Sequence, residues 1–473
     1  MRHTTWIFLL FCLTRADGQD FSARFAEIRD QATPRELYAF LYSLPKGGDL
    51  HHHATLAFYA HRMYEHALEQ EKNGYVYWTR VRVANCNPGE NGPFLRYENL
   101  DEARWKRLSE CEREDFKRLR QLTPGEKAGW ISSLIVDAPG EGRNEFFEEI
   151  VRRQLVFNTN PYLFAENFAE NLKLFAAERV RYLEPQWTPR GATYPDLRPM
   201  PVEEALAIVK QRLAQPDVAD LNIHYRFQTT VIRFRPDLEE QIRNAYAWVD
   251  AHRDWWVAIN AAGREDDDRG YALRMLNSFR EARRKYAGIH LSLHAGEKNS
   301  PGREVRETLL LGAERIGHGV NLITDPDTML LMRNGRALVE VNLVSNRLLE
   351  YTPDLAQHPF PEYLRTGIPV CLNTDDRGSW DSNMTDEYFH AVKQFQLTWE
   401  EVVELGRNSL RHSFAPADLK QRMLADYERE VAQFATEWGK KDWRAALATQ
   451  VYEASGYARR NLLATPTAVG ESK

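Results

Sequence analysis

The chain has 473 residues, of which 43% are hydrophobic and 27% charged, and its formal net charge is -6. These are the proportions of an ordinary soluble globular protein, and the mildly acidic balance argues against nucleic acid as a partner. The length suits one large barrel with appendages, and it equally suits two or three separate domains.

The first 18 residues have the pattern of a cleaved secretory signal. A basic start at Arg2 precedes an apolar run over 6–13, and Ala16 and Gly18 are small residues of the kind that flank a cleavage point. The run is too short to span a bilayer, so we predict a signal peptide over 1–18, no membrane anchor, and export to the periplasm or out of the cell. The alternative is an ordinary buried N-terminal helix.

An N-terminal helical extension is predicted over 19–44. Apolar residues recur at helical spacing from Phe21 to Leu44, and Thr33 followed by Pro34 is typical of a helix start. A short strand near Leu50 follows, and then a helix over 54–70.

The segment from about 72 to 125 reads as a polar insertion after the first strand. It contains a loop over 85–92 and a heavily charged amphipathic pattern that predicts a helix from Leu100 to Leu122. Cys86 and Cys111 both fall in this segment, and in an exported protein they are the plausible disulfide, which contributes roughly 3 kcal/mol in the chain-entropy model. The alternative is two unpaired thiols. Cys371 lies in an apolar strand, where a free thiol behaves as a small hydrophobe.

Strand-like runs separated by amphipathic helices recur from residue 180 onward. With the strand near Leu50 there are eight, at 49–50, 180–183, 223–234, 256–259, 289–293, 315–316, 337–341 and 368–372. Eight buried strands alternating with helices predict an α/β protein with a (β/α)8 barrel over 45–420, C-terminal helices and a tail over 421–473, and an active site at the C-terminal ends of the strands. An open doubly wound sheet is the alternative, but no G-x-G-x-x-G follows the first strand.

Potential metal ligands stand at the ends of four of these strands. They are His51 and His53 on the first strand, His294 on the fifth, His318 on the sixth, and Asp375 and Asp376 on the eighth. Alternate residues of a strand share a face, so His51 and His53 can point together into the barrel mouth. Adding His294 and Asp375 gives three imidazole nitrogens and one carboxylate, a set that suits one Zn²⁺ per chain with room for one water.

Five segments resemble the motif series of one family. In order they are PKGGDLHHH, LSLHAGE, RIGHGVNL, EVNLVSNRLL and LNTDDR, and together they resemble the adenosine deaminases among the metal-dependent amidohydrolases. The signal, N-terminal helices and cysteine-linked insertion look like the secreted adenosine deaminase growth factor branch, the adenosine deaminase 2-like proteins. The resemblance implies deamination of adenosine, and of 2'-deoxyadenosine, to inosine and ammonia, and a homodimer through the N-terminal helices.

The same resemblance implies a role for each residue of the predicted site. The zinc ligands would be His51, His53, His294 and Asp375. Glu297 would pass a proton to purine N1, Asp376 would bond N7, and His318 would hold and help deprotonate the attacking water. These roles agree with the chemistry, because attack at C6 needs hydroxide at neutral pH and a ring nitrogen that accepts a proton.

Contacts to the rest of the nucleoside follow from the resemblance less directly. The backbone N–H of Gly263 would meet N3, and Glu184 would contact the ribose. Two departures from the family pattern are Asn342-Leu343, where Cys-Pro is common, and Arg377, where a proline usually follows the aspartate pair. Arg377 is either a solvated arginine or a contact to an anionic substrate.

Two other functions remain open at this stage. The same site could deaminate another 6-aminopurine nucleoside or an N6-substituted adenosine, or the barrel could be the scaffold of a secreted binding or signalling protein. The sequence has no C-x-x-C, which excludes a site of the cytidine deaminase type.

Overall fold

The structure is a computed structural model that describes residues 13–83, 86, 96–265, 270–298 and 300–464, with side chains from residue 21 onward. Residues 1–12 of the predicted signal peptide lie outside this part. Among the helices of the described ranges, we find none with the length and apolar character needed to cross a bilayer.

The centre of the molecule is a sheet of eight parallel strands that forms a nearly closed barrel. The strands of the described chain are β1 Gly47–His53, β2 Tyr77–Arg80, β3 Asn99–Asp101, β4 Phe116–Arg118, β5 Val180–Gln186, β6 His224–Tyr225, β7 Phe227–Ile232, β8 Trp256–Ala262, β9 His290–Ala295, β10 Arg315–His318, β11 Leu338–Val341 and β12 Val370–Leu372. The barrel order is β1-β5-β7-β8-β9-β10-β11-β12, with β6 paired to β5 beside β7. The predicted (β/α)8 barrel is therefore confirmed.

The first and last strands meet at the C-terminal rim of the barrel. His52 and Asp375 form a parallel bridge there. The Asp375 N–H donates to the His51 carbonyl at 3.0 Å, and the His53 N–H donates to the Asp375 carbonyl at 3.2 Å. This single bridge links β1 to the segment after β12, beside the residues predicted to bind metal.

Helices surround the barrel, and α9, α12 and α20 pack directly on its strands. The helices are α1 Leu13–Gln31, α2 Pro34–Tyr42, α3 Ala60–Glu69, α4 Glu102–Trp105, α5 Glu110–Arg113, α6 Pro124–Ser132, α7 Arg143–Glu145, α8 Val151–Gln154, α9 Pro161–Ala177, α10 Val202–Leu213, α11 Pro216–Ala219, α12 Leu238–Ala251, α13 Leu276–Lys285, α14 Glu304–Leu310, α15 Pro326–Gly335, α16 Leu343–Leu348, α17 Phe360–Thr366, α18 Arg377–Trp380, α19 Met384–Phe395, α20 Trp399–Arg411, α21 Ala417–Lys440, α22 Trp443–Ala448 and α23 Gly456–Asn461. A π-helical turn occupies Phe146–Ile150, and 3₁₀ turns occupy Gln70–Asn73, Leu119–Gln121, Phe157–Thr159, Ala272–Met275, Val320–Thr324 and Leu355–Gln357.

The N-terminal extension consists of two helices: α1 begins at Leu13, earlier than the predicted start at residue 19, and local chemistry sets the start of α2. Thr33 caps α2 by accepting from the Glu36 N–H, the Glu36 side chain accepts from the Thr33 N–H, and Pro34 occupies the first turn. The helices pack on the C-terminal helices: the ring of Phe21 lies 4.6 Å from that of Trp399. The boundary predicted at residue 420 falls inside one continuous helix, α21.

The insertion after β1 differs from the prediction in its secondary structure. The predicted helix from Leu100 to Leu122 is wrong: β3, α4, α5 and β4 occupy this segment, and β2 lies between β3 and β4 in a small antiparallel sheet. Ser109 and Glu112 form a capping box that starts a separate helix, α5. Pairing of Trp78 with Arg118 then draws the following residues into a strand, so tertiary contact overrides the helical charge pattern.

The cysteines behave as the sequence predicts. Cys86 and Cys111 form a disulfide that spans 25 positions of the insertion. Cys371 is a buried free thiol in β12.

Candidate active site

Five of the predicted site residues lie at the C-terminal ends of barrel strands. His51 and His53 end β1, His294 is the next-to-last residue of β9, His318 ends β10, and Asp375 follows β12. His318 and Asp375 have positive φ angles of 64° and 52°. Such a conformation is costly for residues other than glycine, and it is found where a site requires a side chain to point in one direction.

These side chains form a buried site of histidines and an aspartate that can hold a metal ion. His51, His294, His318 and Asp375 each offer a ligand atom, and these atoms all lie within 4.8 Å of one another. His53 joins them, because its Nε2 lies 3.2 Å from His294 Nε2 and 3.3 Å from Asp375 Oδ1. Ligand atoms placed about 2.0–2.1 Å from a tetrahedral zinc ion are about 3.3 Å apart, so these spacings fit one shared ion.

The donor atoms are also in a state that suits a metal. His51 Nε2 and Asp375 Oδ1 are buried 3.4 Å apart, and among the described residues neither has a hydrogen-bond partner outside this cluster. The Nδ1 atom of His51 lies 2.9 Å from Glu340 Oε2, so Nδ1–H donates to that carboxylate, and in the neutral ring the Nε2 lone pair faces the site. Burial lowers the pKa of His51, but the Asp375 and Glu340 carboxylates outweigh it and raise the pKa to about 10. The two carboxylates that favour a proton here would equally favour a bound cation, which would take the place of the Nε2 proton.

The two neighbouring aspartates are held in opposite protonation states. Burial raises the pKa of Asp375, but hydrogen bonds from His51 and His53 outweigh it and hold the pKa well below its ordinary value. Burial, with repulsion from Asp375, raises the pKa of Asp376 well above its ordinary value. Asp375 is thus an ionised ligand, whereas Asp376 keeps a proton that it can share with an acceptor.

Glu297 is a protonated carboxylic acid beside the metal site. Burial is the main reason that its pKa is raised well above the ordinary value, and the Asp375 and Glu265 carboxylates add to the effect. Its Oε1 lies 3.7 Å from His318 Nε2. A protonated carboxyl at neutral pH can donate a proton to a substrate nitrogen, which is the role predicted for this residue.

His318 is neutral and is contacted by one of the residues that departs from the family pattern. Burial lowers the pKa of His318 to about 3. The amide nitrogens of Asn342 and Asn346 each lie 3.2 Å from its Nδ1. The other residue of this departure matters as well, because the Leu343 N–H, which a proline would lack, donates to Glu387 at 2.7 Å.

A buried ion pair holds the HAGE turn that carries Glu297. Arg233 lies 3.0 Å from Glu265 and donates to the His294 carbonyl at 2.6 Å. Glu265 in turn accepts from the N–H groups of Gly296, at 3.2 Å, and Glu297, at 2.8 Å. The φ of Gly296 is 67°, a turn conformation that glycine adopts without strain.

The sequence reading missed several residues that support the site. Glu340 could have been found, because a carboxylate in the apolar strand β11 is expected to have a buried partner. Ser345 donates to Asp375 Oδ2 at 2.7 Å. Arg233 and Glu265 come from two different loops, and no local pattern connects them.

Glu184 is paired with an arginine inside the barrel. It is fully buried, and its carboxylate lies 2.6 Å from Arg315 and accepts from the Tyr182 hydroxyl at 3.0 Å and the Phe414 N–H at 2.5 Å. Glu184 is thus the counter-ion of a buried arginine, and its contact with the ribose stays a prediction.

Arg377 is not the solvated arginine of the first predicted alternative. Its side chain is buried, lies 3.2 Å from Glu178, donates to the Tyr59 hydroxyl at 2.6 Å, and stacks on the Phe175 ring at 4.0 Å. An internal carboxylate therefore pairs with it, and a contact to an anionic substrate stays a prediction. Gly263 follows β8 with a φ of 115°, and its contact with purine N3 stays a prediction.

Comparison with protein families agrees with this site. The family model described as Adenosine deaminase matches residues 157–429, more than half of the chain. An adenosine deaminase of Klebsiella pneumoniae is 32% identical over 257 residues, which are 54% of this chain and 74% of the relative. An adenosine deaminase of Enterococcus faecalis is 29% identical over 247 residues, 52% of this chain and 70% of the relative.

Solved structures share the fold at lower identity. An adenine deaminase from Arthrobacter aurescens has a TM-score of 0.58 at 21% identity and covers 84% of this chain and 100% of its own. An amidohydrolase from Burkholderia ambifaria, with bound Zn, has a TM-score of 0.61 at 20% identity and covers 85% of this chain and 95% of its own. The N6-methyl-AMP deaminase of Arabidopsis thaliana has a TM-score of 0.60 at 20% identity and covers 83% and 98%.

Proposed function

The chain belongs to the adenosine deaminase family, and on that premise we propose that it hydrolyses adenosine, and also 2'-deoxyadenosine, to inosine and ammonia. One observation carries the proposal: a metal site of histidines and an aspartate, a protonated Glu297 and a protonated Asp376 converge at one rim of the barrel. These are the groups that hydrolytic attack on an aminopurine needs.

We assign one zinc ion to His51, His53, His294 and Asp375. The assignment is supported by the spacings of 3.2 to 3.4 Å that link these ligand atoms. His318 Nε2 is farther from the aspartate, 4.0 Å from Asp375 Oδ2, a gap that suits a water molecule between the two groups. When bound, zinc supplies a Lewis acid that makes water nucleophilic at neutral pH.

The side chains then do the rest of the reaction. Glu297 gives its proton to purine N1 as the water oxygen bonds to C6, and Asp376 shares its proton with N7. His318 holds the water against C6. One proton of the water passes to the amino group, which leaves as ammonia, the other returns to Glu297, and the oxygen remains as the carbonyl of inosine.

A substrate panel tests this proposal. Metal-replete protein is assayed by the ultraviolet shift on adenosine, 2'-deoxyadenosine, N6-methyladenosine, adenine and AMP. We expect adenosine to have the highest kcat/KM. A higher value for an N6-substituted or phosphorylated substrate would replace adenosine as the assignment, and no turnover of any of them would overturn the proposed enzyme.

A purely binding function gives a different result. If the protein acts as a ligand for a receptor, Glu297→Ala keeps its biological effect although the general acid is lost. If deamination is the function, that variant loses the effect together with the turnover.

We also propose that the chain is exported and belongs to the secreted growth factor branch. Support comes from the signal pattern over 1–18, the N-terminal helices and the Cys86–Cys111 disulfide, which suits an oxidising compartment. N-terminal sequencing of protein recovered from periplasm or medium tests this, with a start near residue 19 expected. Sedimentation of the same material tests the homodimer that the branch implies.

A further inference from the structure

A line of buried hydrogen bonds leads from a backbone amide to His318. The Phe360 N–H donates to His358 Nδ1 at 3.2 Å, His358 Nε2 lies 3.1 Å from Asn346 Oδ1, and Asn346 Nδ2 lies 3.2 Å from His318 Nδ1. The three side chains are 3%, 0% and 1% exposed, so water does not compete for these contacts.

The first donor fixes the direction of every later bond. A backbone N–H can only donate, so His358 Nδ1 is an acceptor, and the proton of this neutral ring lies on Nε2. His358 Nε2 then donates to Asn346 Oδ1, which turns the Asn346 amide nitrogen toward His318. Reversing the Asn346 amide would set its N–H₂ against the His358 N–H, two donors facing each other.

A second side-chain amide also donates a hydrogen bond to His318. Asn342 Nδ2 lies 3.2 Å from His318 Nδ1 and 3.4 Å from the Glu340 carbonyl. If this amide were reversed, its oxygen would face the Glu340 carbonyl oxygen, two acceptors without a proton between them. Both asparagines therefore present N–H groups to His318 Nδ1.

We propose that Asn342, Asn346 and His358 are positioning residues that keep the proton of neutral His318 on Nε2. This proton points toward Glu297 Oε1, 3.7 Å away, and Asp375 Oδ2, 4.0 Å away. A protonated Nε2 has no lone pair, so it donates to an oxygen and neither binds a metal nor takes a proton. Resting on the proposed function, this makes His318 the donor that orients the attacking water and not its general base.

Nitrogen-15 NMR of histidine-labelled full-length protein measures the proton position directly. The His318 signals are identified by their loss in His318→Gln. We expect protonated Nε2 and unprotonated Nδ1 in the wild type, with and without zinc. Unprotonated Nε2 in the wild type would overturn the proposal.

Asn346→Asp is the decisive variant, because it keeps the side-chain shape and replaces the donor to Nδ1 with a carboxylate. We expect the proton of His318 to move to Nδ1 and kcat to fall about 10- to 100-fold with KM little changed, the usual loss when the outer partner of a site histidine is replaced. An unchanged His318 spectrum in the folded variant would contradict the proposed relay.

Two variants of His358 provide a second test if Asn346→Asp does not fold. Glutamine can still donate to Asn346, so His358→Gln should keep the Nε2 proton, whereas His358→Phe should give mixed tautomers of His318. His390→Gln is the matched control, since His390 is another buried neutral histidine, bonded to the Tyr457 hydroxyl at 2.8 Å away from the site. Identical His318 spectra in His358→Gln and His358→Phe would overturn the role of His358.

The spectra and the turnover answer separate questions. A protein that shows the Nε2 proton but deaminates no purine keeps the proton assignment and loses the proposed function. A protein that deaminates adenosine with its His318 proton on Nδ1 keeps the function and loses this inference.

Discussion

At the scale of single residues, burial sets the protonation states that the proposed reaction needs. Glu297 and Asp376 are only 4% exposed, and loss of solvation raises the pKa of both carboxyls well above the ordinary value, which favours their protonated forms. Asp375, with equally little exposure, stays ionised because histidines donate to it. The immediate surroundings thus favour the protonated form for two carboxyls of this site and the ionised form for the third.

Glu297→Gln tests the acid role. The amide keeps the shape and cannot protonate N1, so kcat should fall by about 10²- to 10⁴-fold, while zinc content and KM change little. In the wild type, activity should fall as pH rises through the raised pKa of Glu297, because the acid loses its proton there. Steady-state rates and zinc analysis check both expectations.

The control for that variant is Glu314→Gln. Glu314 is a surface carboxylate, and the side-chain partner described for it is His290. This variant should leave kcat as in the wild type. A Glu297→Gln enzyme with near wild-type kcat would assign the proton to another group.

His390 should make the protein less stable in acid. Burial lowers its pKa to about 3, whereas an unfolded histidine has a pKa of about 6.5. Below pH 6.5 the unfolded chain therefore binds a proton that the folded chain does not, and this site removes up to about 1.4 kcal/mol of stability per pH unit until the folded pKa is reached.

Replacing the histidine isolates this contribution from the other titrating groups. Urea unfolding of the wild type and His390→Gln at pH 7, 6 and 5 should show a difference that shifts in favour of the variant as the pH falls. Two stability curves that stay parallel across this range would contradict the neutral state of His390.

At the scale of elements, the turn after β9 depends on partners from the loops after β7 and β8. Arg233 and Glu265 form an ion pair that holds this turn. Arg233 donates to a carbonyl of the turn, and Glu265 accepts from two of its N–H groups. A strand end alone would leave Glu297 with several accessible orientations, and the pair removes them.

Arg233→Met should destabilise the fold by about 3–5 kcal/mol, because it leaves the Glu265 carboxylate buried without its counter-ion. The double variant Arg233→Met, Glu265→Gln removes both charges and should recover part of that loss. Unfolding free energies of the two single variants and the double variant give the coupling. Additive losses would show that the two side chains act independently.

The elements that the sequence predicts correctly are those with a local signature. Strand-like apolar runs between amphipathic helices located the barrel strands, and motif residues such as His294 and Asp375 located the rim. The segment 100–122 failed because its charges repeat at helical spacing, while the pairing of β2 with β4 depends on residues far away. The ion pairs of Glu184 and Arg377 were missed for the same reason, since no local pattern identifies their partners.

At the scale of the whole molecule, the metal site lies across the seam of the barrel. His51 and His53 belong to the first strand and Asp375 follows the last, and the backbone bonds between them are those of a single short bridge. Zinc held by these three residues and His294 would therefore tie the two ends of the sheet together. The metal is then a structural element as well as a catalytic one.

Removal of zinc should lower the stability of the whole fold and open the seam first. Ligand binding to the folded state alone stabilises it by about 2.7 kcal/mol at 100 times the dissociation constant, so a chelator should lower Tm by a measurable amount. Amide exchange should quicken most at His53 and Asp375, whose N–H groups bridge β1 and the segment after β12. Asp375→Ala, which lacks a ligand, should show a much smaller chelator effect, and uniform exchange along all strands would contradict a metal-tied seam.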